Sequence, residues 1–125
     1  MPISVHVDHE ARLVRSVATG QITFKDTWSY HETLVLEDAL PYAKLMDATE
    51  ATFVHDDNEI MQLGARVSAY ASVPERGPVA VVATDPEQRD MLRRYFNLTG
   101  AAFPTALFSS ELEARRWLSE VAGER

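Results

Sequence analysis

The sequence predicts a single α/β domain built on a mostly parallel sheet of about five strands, with an antiparallel N-terminal hairpin and four helices. Three observations predict it. Segments of β-branched and apolar residues alternate with segments of helical period in the order β-β-α-β-α-β-α-β-α. The run Pro78-Val79-Ala80-Val81-Val82-Ala83 has no polar alternation, which is the pattern of a strand covered on both faces. A chain of 125 residues, 46% hydrophobic and 25% charged, has the length and composition of one domain, spanning 1–125, that buries a core without staples. Each strand-helix-strand step implies a right-handed parallel crossover, while the strand order is not contained in the pattern.

Residues 3–8 and 13–18 read as two antiparallel strands, since Ile3, Val5, Val7 and then Leu13, Val14, Val17 flank the polar link at 9–12. Gly20 breaks the second strand. Thr23 then offers an N-cap oxygen ahead of Phe24, Trp28, His31 and Val35, so a first helix is predicted over about 24–37, ending before Pro41. Ala43-Lys44-Leu45-Met46-Asp47 is a short buried strand, bounded by Pro41 and the polar Asp47-Ala48-Thr49-Glu50. Asp56-Asp57-Asn58-Glu59 has a cap carboxylate with Glu following in capping-box fashion, and Ile60, Leu63, Val67 and Tyr70 share one face. The second helix is predicted over about 57–72, closed by Pro74 and Gly77. After the strand at 78–83, Asp85-Pro86-Glu87-Gln88 supplies a cap carboxylate, Pro at the first helical position and Gln at the third. That helix runs over about 86–98, with Gly100 stopping it. A last strand at 103–108 and a helix over about 111–122 follow. Ser110 and Glu113 cap this helix, and Ala114, Trp117, Leu118 and Val121 form its core stripe.

Composition excludes several function classes. With 12 Lys+Arg against 19 Asp+Glu, a formal net charge of −7, the chain is poorly suited to a nucleic-acid backbone. No apolar stretch is long enough for a membrane span. The opening residues lack the basic start and apolar run of a signal peptide, and there is no cysteine, so a cytoplasmic location is expected. Dinucleotide, P-loop, nucleophile-elbow and calcium-loop patterns are all missing. The four histidines lack convergent spacing, so neither a metal nor another cofactor is expected. His31, on an apolar stripe, reads as a hydrogen-bonded core histidine. His55 reads first as a loop residue beside carboxylates and second as a site histidine at a strand-to-helix loop, where open α/β sheets bind ligands. Arg89, Arg93, Arg94, Arg115 and Arg116 read as a solvated face balanced by acids rather than a binding patch.

The layout resembles the SpoIIAA-like proteins, related to the STAS domains of anti-sigma factor antagonists. The resemblance rests on the order of Leu13-Val14 through Gly20-Gln21-Ile22-Thr23, Lys44-Leu45-Met46-Asp47, Val79-Ala80-Val81-Val82-Ala83, Arg94-Tyr95-Phe96, and Phe108 with Ala114-Arg115-Arg116-Trp117-Leu118. It implies a single α/β domain and a non-enzymatic regulatory or binding role, through an unknown protein partner or a small or lipid-like molecule. Phosphorylatable members of the wider group carry Asp-Ser-Ser-Gly before the second helix. Here the matching positions are His55-Asp56-Asp57-Asn58, so the hydroxyls are gone and a carboxylate stands where a phosphoserine would.

The leading expectation is therefore a non-enzymatic binding domain, as monomer or homodimer, whose working surface surrounds Asp47, Thr49, His55, Asp56, Asp57 and Asn58, with no catalytic residue. The alternative is a small hydrolase or isomerase using His55 with Asp56 or Asp57 as acid and base.

Overall fold

A computed structural model describes residues 2–69, 76–99 and 103–123. The chain runs β1 (Ile3–Asp8), β2 (Leu13–Thr23), α1 (Phe24–Leu36), β3 (Ala43–Val54), α2 (Asp57–Ala69), β4 (Val79–Val82), α3 (Pro86–Thr99), β5 (Thr105–Phe108) and α4 (Glu111–Gly123). Tyr70, Pro74 and Gly100, which the sequence pattern used to shape and close two helices, lie outside the described residues. The five strands form one sheet in the order β1-β2-β3-β4-β5, with β1 antiparallel to β2 and every other pair parallel.

That order decides where the helices lie. Three successive crossovers step in one direction across the sheet, so with one hand of connection α1, α2 and α3 fall on the same face. Val14, Ala18, Ile22, Met46, Phe53 and Val81 point to that face. Leu45, Ala80 and Val82 point the other way, where α4 covers them with Ala114 and Leu118. The last helix therefore seals only part of the second face, and Val17 on β2 remains 45% exposed.

Two strands are longer than the sequence pattern predicted. β2 continues through Gly20, which takes a left-handed φ of 71° that costs glycine nothing. β3 continues through the polar stretch 47–50 because a bulge absorbs it: the register shifts between Val17 and Thr19, which pair with Asp47 and Glu50. Within the bulge, Asp47 Oδ1 accepts hydrogen bonds from the Thr49 amide at 3.0 Å and the Thr49 hydroxyl at 2.7 Å. The extra residue also restores the inward parity of the strand, so that Lys44, Met46 and Ala48 are followed on the same face by Ala51 and Phe53.

Local capping follows the sequence in three places. Thr23 and Asp26 form a reciprocal capping box on α1, and Asp56 and Glu59 form one on α2, with Glu59 N donating to Asp56 Oδ1 at 2.8 Å and Asp56 N to Glu59 Oε1 at 3.0 Å. Ser110 accepts from the Glu113 amide on α4. On α3 the expected box does not form. Asp85 receives the Glu87 amide, but the Gln88 side chain turns inward, 5% exposed, to accept the Phe53 N–H at 2.8 Å. This part of β3 extends past the end of β4, and a buried amide left there without a partner would cost about 1–3 kcal/mol.

The α4 stripe also departs from expectation at two residues, Trp117 and Val121, both only partly buried. Ala114 and Leu118 are buried, whereas Trp117 packs at the rim against Phe108 with ring centroids 5.6 Å apart and stays partly exposed. Trp117→Ala is therefore expected to leave the domain folded, at a cost of about 1–3 kcal/mol, below the 3–5 kcal/mol of a fully enclosed tryptophan. Leu118→Ala should cost about 2–5 kcal/mol. Urea midpoints of the two variants test the ranking.

Candidate functional site

The helix face of the sheet is incompletely filled. α2 and α3 pack mainly on each other, drawn close where a Cβ on Gly64 would stand 3.1 Å from Leu98 Cβ, and α1 packs on β1 and β2. Between the two groups lies a cavity of about 100 Å³. Its floor is Ile3, Met46, Phe53 and Val81 from the sheet, and its walls include Leu34 from α1, Leu63 and Val67 from α2, and Met91, Leu92 and Phe96 from α3. Into this apolar space project a few polar groups: Thr27, Tyr30, His31, Lys44, His55, Arg76 and Tyr95. Among the described residues that line it there is no carboxylate. A mostly apolar cavity with a few convergent polar groups is the usual form of a small-molecule site.

The polar groups are ordered along the cavity. Thr27 and His31 lie one helical turn, roughly 5 Å, apart on α1. At the level of Thr27, its hydroxyl hydrogen-bonds His55 Nε2 at 3.0 Å, while His55 Nδ1 is buried without a partner. At the level of His31, Nε2 hydrogen-bonds the Tyr95 hydroxyl at 3.2 Å with the two rings stacked, and His31 Nδ1 is likewise buried and unpartnered. Near the start of β3, Lys44 is only 2% exposed and donates from Nζ to the Leu40 and Tyr42 carbonyls at 2.7 and 2.8 Å. Arg76 donates to the Val67 carbonyl at 3.0 Å and lies over the Phe103 ring. Arg66 stacks 3.8 Å above Trp28 and donates to its carbonyl, tying α2 to α1.

Burial and charge set the protonation of this space. Burial, together with the nearby Arg66, Arg76 and Lys44 charges, pulls the His31 pKa down to about 3. Burial lowers that of His55 too, against the opposing pull of Glu59, Asp26 and Asp56. Burial pushes the Tyr30 hydroxyl up to about 12, and Tyr95 above the ordinary tyrosine range. All four groups are therefore neutral at pH 7.

A stability prediction follows from His31. An unfolded histidine takes up its proton near pH 6.5, whereas the folded ring resists until about pH 3, so between these values the unfolded state holds more protons. The contribution is complete above pH 6.5 and is lost as the pH falls toward 3. His31→Phe should flatten this loss: from pH 7 to pH 4, the wild type is expected to lose at least about 1 kcal/mol more than the variant in urea unfolding.

The residues expected to form the working surface are distributed over two places. Asp47 and Thr49 belong to the β3 bulge. Asp47 faces the opposite side of the sheet, in a second pocket of about 360 Å³ with Arg15, Val17, Leu45 and Glu111. His55 lines the helix-side cavity. Asp56, not Asp57, caps α2, and Asp57 instead pairs with Arg94 on α3. Asn58 lies in the exposed first turn of α2. The structure thus brings His55, Asp56, Asp57 and Asn58 to one strand-to-helix junction and separates Asp47 and Thr49 from it. The arginines are engaged individually: Arg89 with the Ala83 and Phe108 carbonyls, Arg93 with Asp90, Arg94 with Asp57 and Arg115 with Glu111.

Of the expected working-surface residues, His55 alone lines the helix-side cavity. In this sheet the strand order never reverses, so there is no switch-point crevice at the strand ends, and the open space lies beneath the helices. The signals that point there are single residues out of pattern: Lys44 within a buried apolar run and His31 on an apolar helix stripe. Among the described residues, no three His, Asp or Glu side chains converge as metal ligands, and no helix is long and apolar enough to cross a membrane.

No protein-family model and no curated protein matches the sequence. The structure is similar to that of an uncharacterized protein from the DUF3478 family with a SpoIIAA-like fold, from Shewanella loihica PV-4. The two share 21% sequence identity, the match covers 93% of each chain, and the TM-score is 0.61. The fold is thus SpoIIAA-like: a small α/β domain with a five-stranded mixed sheet and four helices.

Proposed function

On this SpoIIAA-like fold, we propose that the protein is a non-enzymatic binding domain, and that the space between the sheet and helices α1, α2 and α3 holds a small, largely apolar molecule. One observation carries the reading: an apolar cavity lined by two histidines, His31 and His55, each of which has a buried Nδ1 without a hydrogen-bond partner. Folded proteins rarely leave such atoms unsatisfied, since each costs about 1–3 kcal/mol, and a ligand atom that supplies the missing hydrogen bond recovers it. Both candidate carboxylates of the acid–base alternative are engaged elsewhere, Asp56 in the helix cap and Asp57 with Arg94.

Native mass spectrometry of the purified protein, before and after incubation with a panel of small aromatic and branched aliphatic compounds, tests the reading. A 1:1 adduct that is lost in a variant with a filled cavity, such as Val81→Phe, is expected. Adducts that persist in a folded Val81→Phe protein would place the binding elsewhere.

A further inference from the structure

The first strand closes the sheet on one side only. Among the described residues, β1 pairs with β2 and with nothing else, and the register fixes which of its backbone groups are left over. The Thr19 N–H donates to the Pro2 carbonyl at 2.9 Å, and the pairing continues as Ser4 with Val17, His6 with Arg15 and Asp8 with Leu13. Successive residues of an antiparallel strand bond alternately to one side and the other. Pro2, Ser4, His6 and Asp8 therefore bond toward β2, while the N–H and C=O groups of Ile3, Val5 and Val7 point away from the sheet. The side chains divide in the same way. Ile3, Val5 and Val7 turn to the helix face, and Ser4 and His6 line the pocket on the opposite face.

Native sheets blunt such an edge with lysine, proline, an inward-pointing charge or a bulge. From Ile3 to Val7, β1 has none of these, and β5 at the other edge is only four residues long. We infer that β1 is a homodimer interface, on which a second copy of this chain lays its own β1 antiparallel across a two-fold axis, joining the two sheets into one. The backbone selects the register. With Val5 on the axis opposite the partner's Val5, and Ile3 opposite the partner's Val7, both outward groups of all three residues are bonded. Placing Ser4 or His6 on the axis instead leaves Val7 or Ile3 beyond the end of the ladder. The side chains fit the same register, since aliphatic residues meet on the helix face and Ser4 meets the partner's His6 on the other. Asp8, the only carboxylate of the strand, falls outside the bonded stretch. Val5 and Val7 are only partly buried in the single chain, and the new neighbours would cover them. Helix α1 packs on β1 and β2. With strands spaced by about 4.8 Å, the two copies of α1 would run about 10 Å apart, the distance of packed helices.

Sedimentation equilibrium of the full chain over about a hundred-fold range of concentration should follow a monomer–dimer equilibrium. Val5→Pro removes an N–H that the monomer leaves unbonded, so circular dichroism should show a folded protein, while dimerisation weakens at least about ten-fold. Cross-linking tests the register in a chain that has no cysteine of its own. Val5→Cys places a thiol opposite its own copy, where paired Cα atoms stand about 5.5 Å apart, within reach of a disulfide. Under mild oxidation this variant should form a covalent dimer faster than His6→Cys, although His6 is the more exposed of the two. A chain that stays monomeric over the whole range overturns the inference, and so does a dimer that folded Val5→Pro leaves equally tight. Cross-linking through His6→Cys that is as fast or faster contradicts the pairing at Val5. If Val5→Pro does not fold, the cysteine comparison decides.

Discussion

Gly77→Ala is expected to be the most damaging single-methyl substitution in the domain. A Cβ at this position would lie 2.0 Å from the Tyr42 carbonyl oxygen and 2.6 Å from that of Pro41, separations that no rotamer change can relieve because both obstacles are backbone. The Gly77 amide also donates to the Leu40 carbonyl at 3.0 Å, so the segment that leads into β4 is pinned against the connection between α1 and β3. Relief requires moving one of the two apart, which breaks this bond and opens the end of the sheet. Ordinary overpacking costs about 1–3 kcal/mol. Here the cost should exceed about 3 kcal/mol, a large part of the 5–15 kcal/mol that holds a typical domain together. Gly20→Ala is the internal control. Gly20 has the positive φ but open space around it, so alanine there meets only the left-handed strain of about 1–2 kcal/mol. Urea unfolding followed by circular dichroism should rank the two in that order. Equal midpoints would mean that the 40–42 connection yields, and that the close approach is not a constraint on the fold.

Lys44→Met should produce the second large effect, about 2–4 kcal/mol of destabilisation. The ammonium is almost wholly buried and donates to two carbonyls of the same connection, Leu40 and Tyr42, so methionine would fill the volume but leave both acceptors short of a charged donor. An opposing term exists, since removing a buried charge also removes its desolvation penalty, and apolar replacements of buried ions are neutral or stabilising in some proteins. The hydrogen bonds should win here because the carbonyls remain buried after the substitution. If the variant is as stable as the wild type or more so, the charge is retained at a cost to folding, and its reason lies in what the neighbouring cavity binds.

What could be read from the sequence was local. Thr23 as an N-cap, and Asp56 with Glu59 and Ser110 with Glu113 as pairs three residues apart, each act at their helix starts in the structure. The unalternating run at 78–83 does become a strand buried on both faces. Contacts between distant residues were not legible. Gln88 looked like the third residue of a capping box, and only the overhang of β3 beyond β4, 35 positions away, turns its side chain inward. The polar stretch at 47–50 looked like the end of a strand because a bulge, which tolerates it, leaves no composition signal. The candidate site itself depends on His31 meeting Tyr95 across 64 residues and on α2 standing with α3 rather than with α1. Strand order governs both. Once the order is known, the three helices fall on one face, and the space between them is where a polar residue on an apolar stripe can be something other than core.

The most direct test of the account is a methyl NMR titration of protein labelled at Ile, Leu, Val and Met, with a small aromatic compound such as benzene or toluene added to saturation. The account predicts shifts concentrated at Ile3, Met46, Leu63, Val67, Met91 and Leu92, on the cavity side of the sheet. Leu45 and Leu118, on the α4 side, should remain in place. Shifts centred on Val17 and Leu45, around the second pocket that holds Asp47 and Arg15, or an unchanged spectrum at saturation, would contradict it.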